Sequence, residues 1–119
     1  MTSYKRGDVI LVRFPNSDLR TYKKRPALVV QADGLETGIP QIIVAMITSN
    51  TNRSGHPSRI HINPALGDES GTGLQNESVI VTDNLATVKD SFIDKAIGKF
   101  TNMERLDAAL ANTFGLRLR

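Results

Sequence analysis

The sequence predicts a mainly β fold, a small β-barrel or sandwich with one C-terminal α-helix, on three observations. Short runs rich in Val and Ile recur through the first hundred residues. Gly, Pro and Asn separate them. Only after Thr101 does the apolar period change from that of a strand to that of a helix.

The elements follow in order. Gly7-Asp8 opens a strand from Val9 to Phe14, and Pro15 stops it because proline has no N–H for a ladder. Asn16 to Lys24 is polar, charged and aperiodic, so an exposed loop is expected there, of the kind that carries binding function. Ala27 to Gln31 and Gln41 to Thr48 are continuous apolar runs, the pattern of strands buried on both faces, with turn material between them at Asp33 to Gly38. Arg59 to Asn63 alternates polar and apolar residues and reads as a half-buried strand, which Pro64 ends. Gly67 to Gly73 is a glycine-rich connection. Ser78 to Thr82 is the next strand, with a turn expected at Asp83-Asn84, and Lys95 to Phe100 is a last short one. Thr101 and Glu104 have capping-box spacing, with Thr101 at the N-cap. Met103, Leu106, Leu110 and Phe114 share a helical face, and Gly115 is placed to end the helix. That face is expected to cover one side of the barrel or to contribute to a subunit interface.

At 119 residues, a single domain over residues 1–119 is expected. The absence of cysteine excludes disulfides, thiolate metal sites and cysteine nucleophiles, and fits a reducing compartment. No apolar run approaches the ~20 residues that span a bilayer. The polar N-terminus lacks the apolar core of a secretion signal, so a cytoplasmic protein with no membrane contact is expected.

The net charge of +3 is unevenly spread. Residues 1–25 carry seven basic groups against Asp8 and Asp18, whereas the remainder carries eight basic and ten acidic groups. A basic end suits a polyanion such as nucleic acid; it also suits a solvated loop with no partner.

Metal chemistry finds little to use: His56 and His61 are the only histidines, and no carboxylate cluster with ligand spacing accompanies them, so neither metal nor cofactor is expected. Gly71-Thr72-Gly73 is too short for a phosphate loop and lacks the pattern of a nucleophile elbow. There remain Arg25, Thr48, Ser49 and Asp83, with Arg20, Lys23 and Lys24 in the loop. Arginine offers five fixed donors and a permanent charge, and Thr and Ser add hydroxyl donors, a set suited to a phosphate. Each residue also has a structural use: Arg25 as an exposed pre-proline residue, Thr48 and Ser49 as strand-end residues bonding their own backbone, Asp83 as a turn residue.

The order of these pieces resembles the MazF/PemK family of toxins. It comprises Gly7-Asp8, then Arg25-Pro26-Ala27-Leu28-Val29-Val30, Thr48-Ser49, the Gly71 to Ser78 connection, Val81-Thr82-Asp83-Asn84-Leu85-Ala86-Thr87-Val88, and Ile97-Gly98-Lys99-Phe100. The resemblance implies an SH3-like β-barrel of the MazF/PemK/CcdB-like toxin type, a homodimer and a small cognate antitoxin. It implies sequence-specific, metal-independent cleavage of single-stranded RNA, in which the 2′-hydroxyl is the nucleophile and the products are a 2′,3′-cyclic phosphate and a 5′-hydroxyl. Carried over residue by residue, Arg25 clamps the phosphate, Thr48 donates to a phosphoryl oxygen with Ser49 in support, and Asp83 stands where some relatives place a base. Arg20, Lys23 and Lys24 would grip the RNA backbone, and Tyr22 would stack on a base or anchor the loop. Two family arginines are replaced here, by Val81 and Ala86. A second reading on the same fold is a non-catalytic CcdB-like inhibitor of DNA gyrase acting through residues 115–119. A third is an adaptor, whose aromatic groove would have to come from Tyr4, Tyr22 and four Phe.

Overall fold

The computed structural model describes residues 3–15 and 18–118. Six strands form one antiparallel sheet: β1 (Asp8–Pro15), β2 (Tyr22–Val29), β3 (Gln41–Thr48), β4 (Arg59–Ile62), β5 (Ser78–Lys89) and β6 (Ile93–Lys99). Their order across the sheet is β4-β5-β3-β2-β1-β6, and one helix, α1 (Met103–Phe114), follows. The expected mainly β architecture with a terminal helix is what the chain adopts. The barrel is not closed by hydrogen bonds, however: β4 and β6 are the two edges of the sheet.

The continuous apolar runs of β2 and β3 have the cause the sequence suggested, burial on both faces, and β1 shares it. One face carries Val9, Leu28, Ala45, Ile47, Ile60, Ile62 and Ile80, covered by Phe100 and by Leu106 and Ala109 of α1. The other carries Ile10, Val12, Ala27, Val29, Ile42, Val44, Val88 and Ile93. Adjacent residues such as Val9 and Ile10 therefore enter different cores, as the two-residue period of a strand requires.

Three expectations are corrected. The loop predicted over Asn16 to Lys24 is shorter, because Tyr22, Lys23 and Lys24 pair with Pro15, Phe14 and Arg13 as part of β2; the Asn16-Ser17 portion lies outside the described residues. The turn at Asp83-Asn84 does not form. Instead β5 runs on to Lys89, and the β3–β5 register jumps from Met46↔Val81 to Ala45↔Leu85, leaving Thr82, Asp83 and Asn84 as a bulge. The helix N-cap is Asn102 rather than Thr101, since the Asn102 side chain accepts the N–H of Arg105 at 3.2 Å. Of the predicted apolar face, Leu106 is buried and Met103 and Leu110 half-buried, but Phe114 is 58% exposed; Ala109 and Ala111 complete the packed side. Gly115 ends the helix in the left-handed conformation, as expected. Among the described residues no helix is long and apolar enough to cross a membrane.

Candidate functional site

Arg25 lies in β2 opposite Val12 of β1. The β2–β3 register pairs Ala27 with Met46; continued by two residues, it sets Arg25 across from Thr48, the last residue of β3. Thr48 pairs onward with Val79 of β5, and Val79 with His61 of β4. The neighbouring row is Ala27, Met46, Val81 and Arg59. Residues directly opposite one another present side chains on the same face. Arg25, Thr48, His61 and Arg59 therefore share one face, and the helix packs on the other.

Arg25 is exposed and has no hydrogen-bond or ion-pair partner among the described residues. Ser49 is likewise exposed and free. Thr48 is half-buried, and its hydroxyl oxygen accepts the N–H of Asn50 at 3.1 Å. Accepting that bond leaves the hydroxyl proton to donate. An unpaired guanidinium and a hydroxyl donor on adjacent strands can grip one tetrahedral oxyanion.

Asp83 is held differently. Thr82, fully buried, donates its hydroxyl to the Ser58 carbonyl at 2.6 Å and lies 2.9 Å from the Thr113 hydroxyl of α1, which anchors the bulge against the helix. The next residue, Asp83, turns to β4, where Arg59 grips both its oxygens: Nε to Oδ1 at 3.3 Å and Nη2 to Oδ2 at 2.9 Å. This guanidinium holds the Asp83 carboxyl below the usual carboxylate range, against a smaller opposing effect of burial. The same bond raises Arg59 above its ordinary value.

The basic segment before Arg25 divides between the two faces. Asp18 accepts the backbone N–H groups of Arg20 at 2.9 Å and Thr21 at 3.1 Å, and these bonds hold its carboxyl below its ordinary value. Arg20 is thereby presented outward. By strand alternation Lys23 falls on the side of Arg25, and Tyr22 and Lys24 on the other. Lys24 reaches Asp94 of β6 at 3.2 Å, and the Tyr22 ring sits 6.4 Å from that of Phe92.

Sequence reasoning missed Arg59 and its neighbours Arg53 and His56. The available signal was the alternation Arg59-Ile60-His61-Ile62, which puts Arg59 and His61 together on the polar face of their strand. A concave region of about 530 Å³ between Tyr4-Lys5 and the 31–42 segment is lined by none of the predicted residues. A site that follows the backbone of an extended strand needs an open surface rather than an enclosed cavity, so this does not weigh against the face described. Among the described residues no three His, Asp or Glu side chains are grouped to hold a metal ion.

Comparison with known proteins agrees with this architecture. A relative from Mycolicibacterium smegmatis, named a probable endoribonuclease MazF, is 30% identical over 114 residues, covering 94% of this chain and 97% of the relative. The Mycobacterium tuberculosis toxin MazF-mt6 superposes with a TM-score of 0.72 at 21% identity, over 93% of this chain and 99% of its own. A mycobacterial endoribonuclease solved in complex with its cognate antitoxin gives a TM-score of 0.71 at 19% identity, over 98% of this chain and 100% of its own. These two structures establish the shared fold. The model of the PemK-like, MazF-like toxins of type II toxin-antitoxin systems matches residues 5–114, and the chain belongs to that family.

Proposed function

We propose that this protein is a sequence-specific, metal-independent endoribonuclease toxin that cuts single-stranded RNA, messenger RNA included, and is neutralised by a cognate antitoxin. The observation that carries the reading is Arg25, an exposed arginine with no partner among the described residues, on the strand next to Thr48 and on the same face, where the Thr48 hydroxyl proton is free to donate. The family match and a relative named as an endoribonuclease support it.

RNA supplies its own nucleophile. The 2′-oxygen forms a bond to phosphorus while the bond from phosphorus to the 5′-oxygen breaks. The 2′-proton leaves and the 5′-oxygen gains one, both exchanging with solvent, and the products are a 2′,3′-cyclic phosphate and a 5′-hydroxyl. Charge grows on the phosphoryl oxygens at the transition state, where Arg25 and Thr48 stabilise it. Arg25 acts as a charge stabiliser, its guanidinium presenting fixed donors to the phosphoryl oxygens. Ser49 supports Thr48, and Arg20 and Lys23 hold the flanking backbone. Arg20, Lys23 and Arg25, whose side chains are unpaired among the described residues, also offer positive charge to an acidic antitoxin segment that would block the RNA. The working unit is taken to be a homodimer, as in the family.

The test is cleavage of a long single-stranded RNA in excess EDTA by the parent protein, Arg25→Ala and Thr48→Ala, with analysis of the fragment ends. Discrete fragments ending in 2′,3′-cyclic phosphate, reduced by about 10²-fold or more in each variant, are expected. Intact RNA from folded parent protein across unrelated substrates would overturn the reading and point to gyrase inhibition.

A further inference from the structure

Arg59 is a cation on the face of Arg25 and Thr48 to which the nuclease reading gives no task. Its guanidinium has five N–H bonds. Nε and one N–H of Nη2 go to Asp83, and one N–H of Nη1 points to the Arg53 carbonyl at 3.4 Å. One N–H on each Nη remains, and the side chain is 24% exposed. Two remaining donors on one guanidinium can meet the oxygens of a phosphate.

The surroundings strengthen the match. Arg53 is exposed and its side chain unpaired among the described residues, and its turn hangs beside Arg59. The carbonyl of His56 accepts the N–H of Arg59 at 2.9 Å. The Nδ1 of His56 lies 3.0 Å from the N–H of Ser58 and accepts from it, which places the imidazole hydrogen on Nε2. The exposed ring of His56 therefore has a donor to present. Arg53, Arg59 and a donating His56 against the single carboxylate of Asp83 make a surface that attracts an anion.

Position decides which anion. Strands are about 4.8 Å apart, so Arg59 on β4 stands two strands beyond Thr48 and three beyond Arg25, too far to share their phosphate. Asp83, for its part, is poorly set to take a proton: both its oxygens are occupied, and the pairing that occupies them lowers its basicity.

We propose that Arg59, with His56 beside it, binds a second phosphate of the RNA strand, and that Asp83 is a positioning residue that orients Arg59 rather than the group that accepts the 2′-proton. The proposal rests on the nuclease reading for the identity of the ligand.

Binding of a non-cleavable 2′-O-methyl RNA oligonucleotide of mixed sequence, followed by anisotropy across a range of salt, tests Arg59. For a single strand, loss of one phosphate contact makes the slope of log K against log salt shallower by about 0.7. That change is expected for Arg59→Ala, and the parent slope is expected to persist in Arg59→Lys, which keeps the charge. An unchanged slope in Arg59→Ala would leave Arg59 as a structural tie alone and overturn the proposal. Steady-state cleavage by Asp83→Asn, which keeps one acceptor for Arg59, tests the second half. KM should rise, kcat should fall by less than the roughly 10²-fold that loss of a general base brings, and the pH profile should keep its shape. A kcat loss beyond that with unchanged KM and a vanished acid limb would make Asp83 the base. If the parent cuts no RNA but binds the oligonucleotide, the nuclease reading falls while the salt slopes still decide Arg59.

Discussion

Gly98 of β6 lies so close to the chain at residues 71–72 that a Cβ built on it would overlap the Thr72 backbone. Backbone cannot swing aside as a side-chain tip can, so Gly98→Ala is expected to cost about 1–3 kcal/mol. The control is Gly71→Ala, whose Cβ would meet nothing nearer than 3.9 Å and should change little. Urea unfolding of both variants checks the contrast; equal stability would mean that the contact yields. The same scale shows what single residues disclosed. Arg25 and Thr48 stand out in the string because they mark the ends of apolar runs, and it is the family resemblance, not the letters alone, that assigns them to one site. Arg59 does not stand out, because its partner Asp83 lies in a bulge whose register no local pattern specifies. The basic N-terminal segment was legible as charge but not as function: Arg6 is spent on Asp107 at 2.7 Å and Lys24 on Asp94, and only a fold brings such partners close.

Elements were read well where one period ran undisturbed and poorly where two local signals competed. The apolar runs of β1 and β3 fixed those strands nearly to the residue. At the start of α1, Thr101 and Asn102 are both good caps one residue apart, and the Thr-to-Glu spacing favoured the wrong one. In the fold the Asn102 side chain takes the N–H of Arg105. Asn102→Ala should therefore cost about 1 kcal/mol and Thr101→Ala close to nothing. Thermal unfolding of the two variants would separate them, and the reverse order would restore Thr101 as the cap. The error at Asp83-Asn84 has a similar origin. That pair is a turn signal in isolation, but the anchoring of Thr82 to Ser58 and to α1 absorbs the extra residues as a bulge, and the strand continues.

Across the whole molecule, β4 and β5 are joined at the site end by backbone pairing and by the Arg59–Asp83 ion pair. The acid stability of the molecule depends on the sign of that pair. The folded carboxyl of Asp83 titrates below its ordinary value of 3.8, so on acidification the unfolded chain takes up the proton first. Its contribution to stability is thus complete above the unfolded value and lost as pH falls through the lower, folded one. Asp18, held down by the N–H groups of Arg20 and Thr21, behaves with the same sign. The stability gap between the parent and Asp83→Asn should stay constant from neutral pH to about 5 and shrink below about 4, where the carboxylate is neutralised in both states. Urea midpoints at several pH values measure this directly. A gap already closing between neutrality and pH 5 would mean a carboxyl that is easier to protonate when folded. Such a group would be suited to accepting a proton, and the roles assigned to Arg59 and Asp83 would both have to be withdrawn.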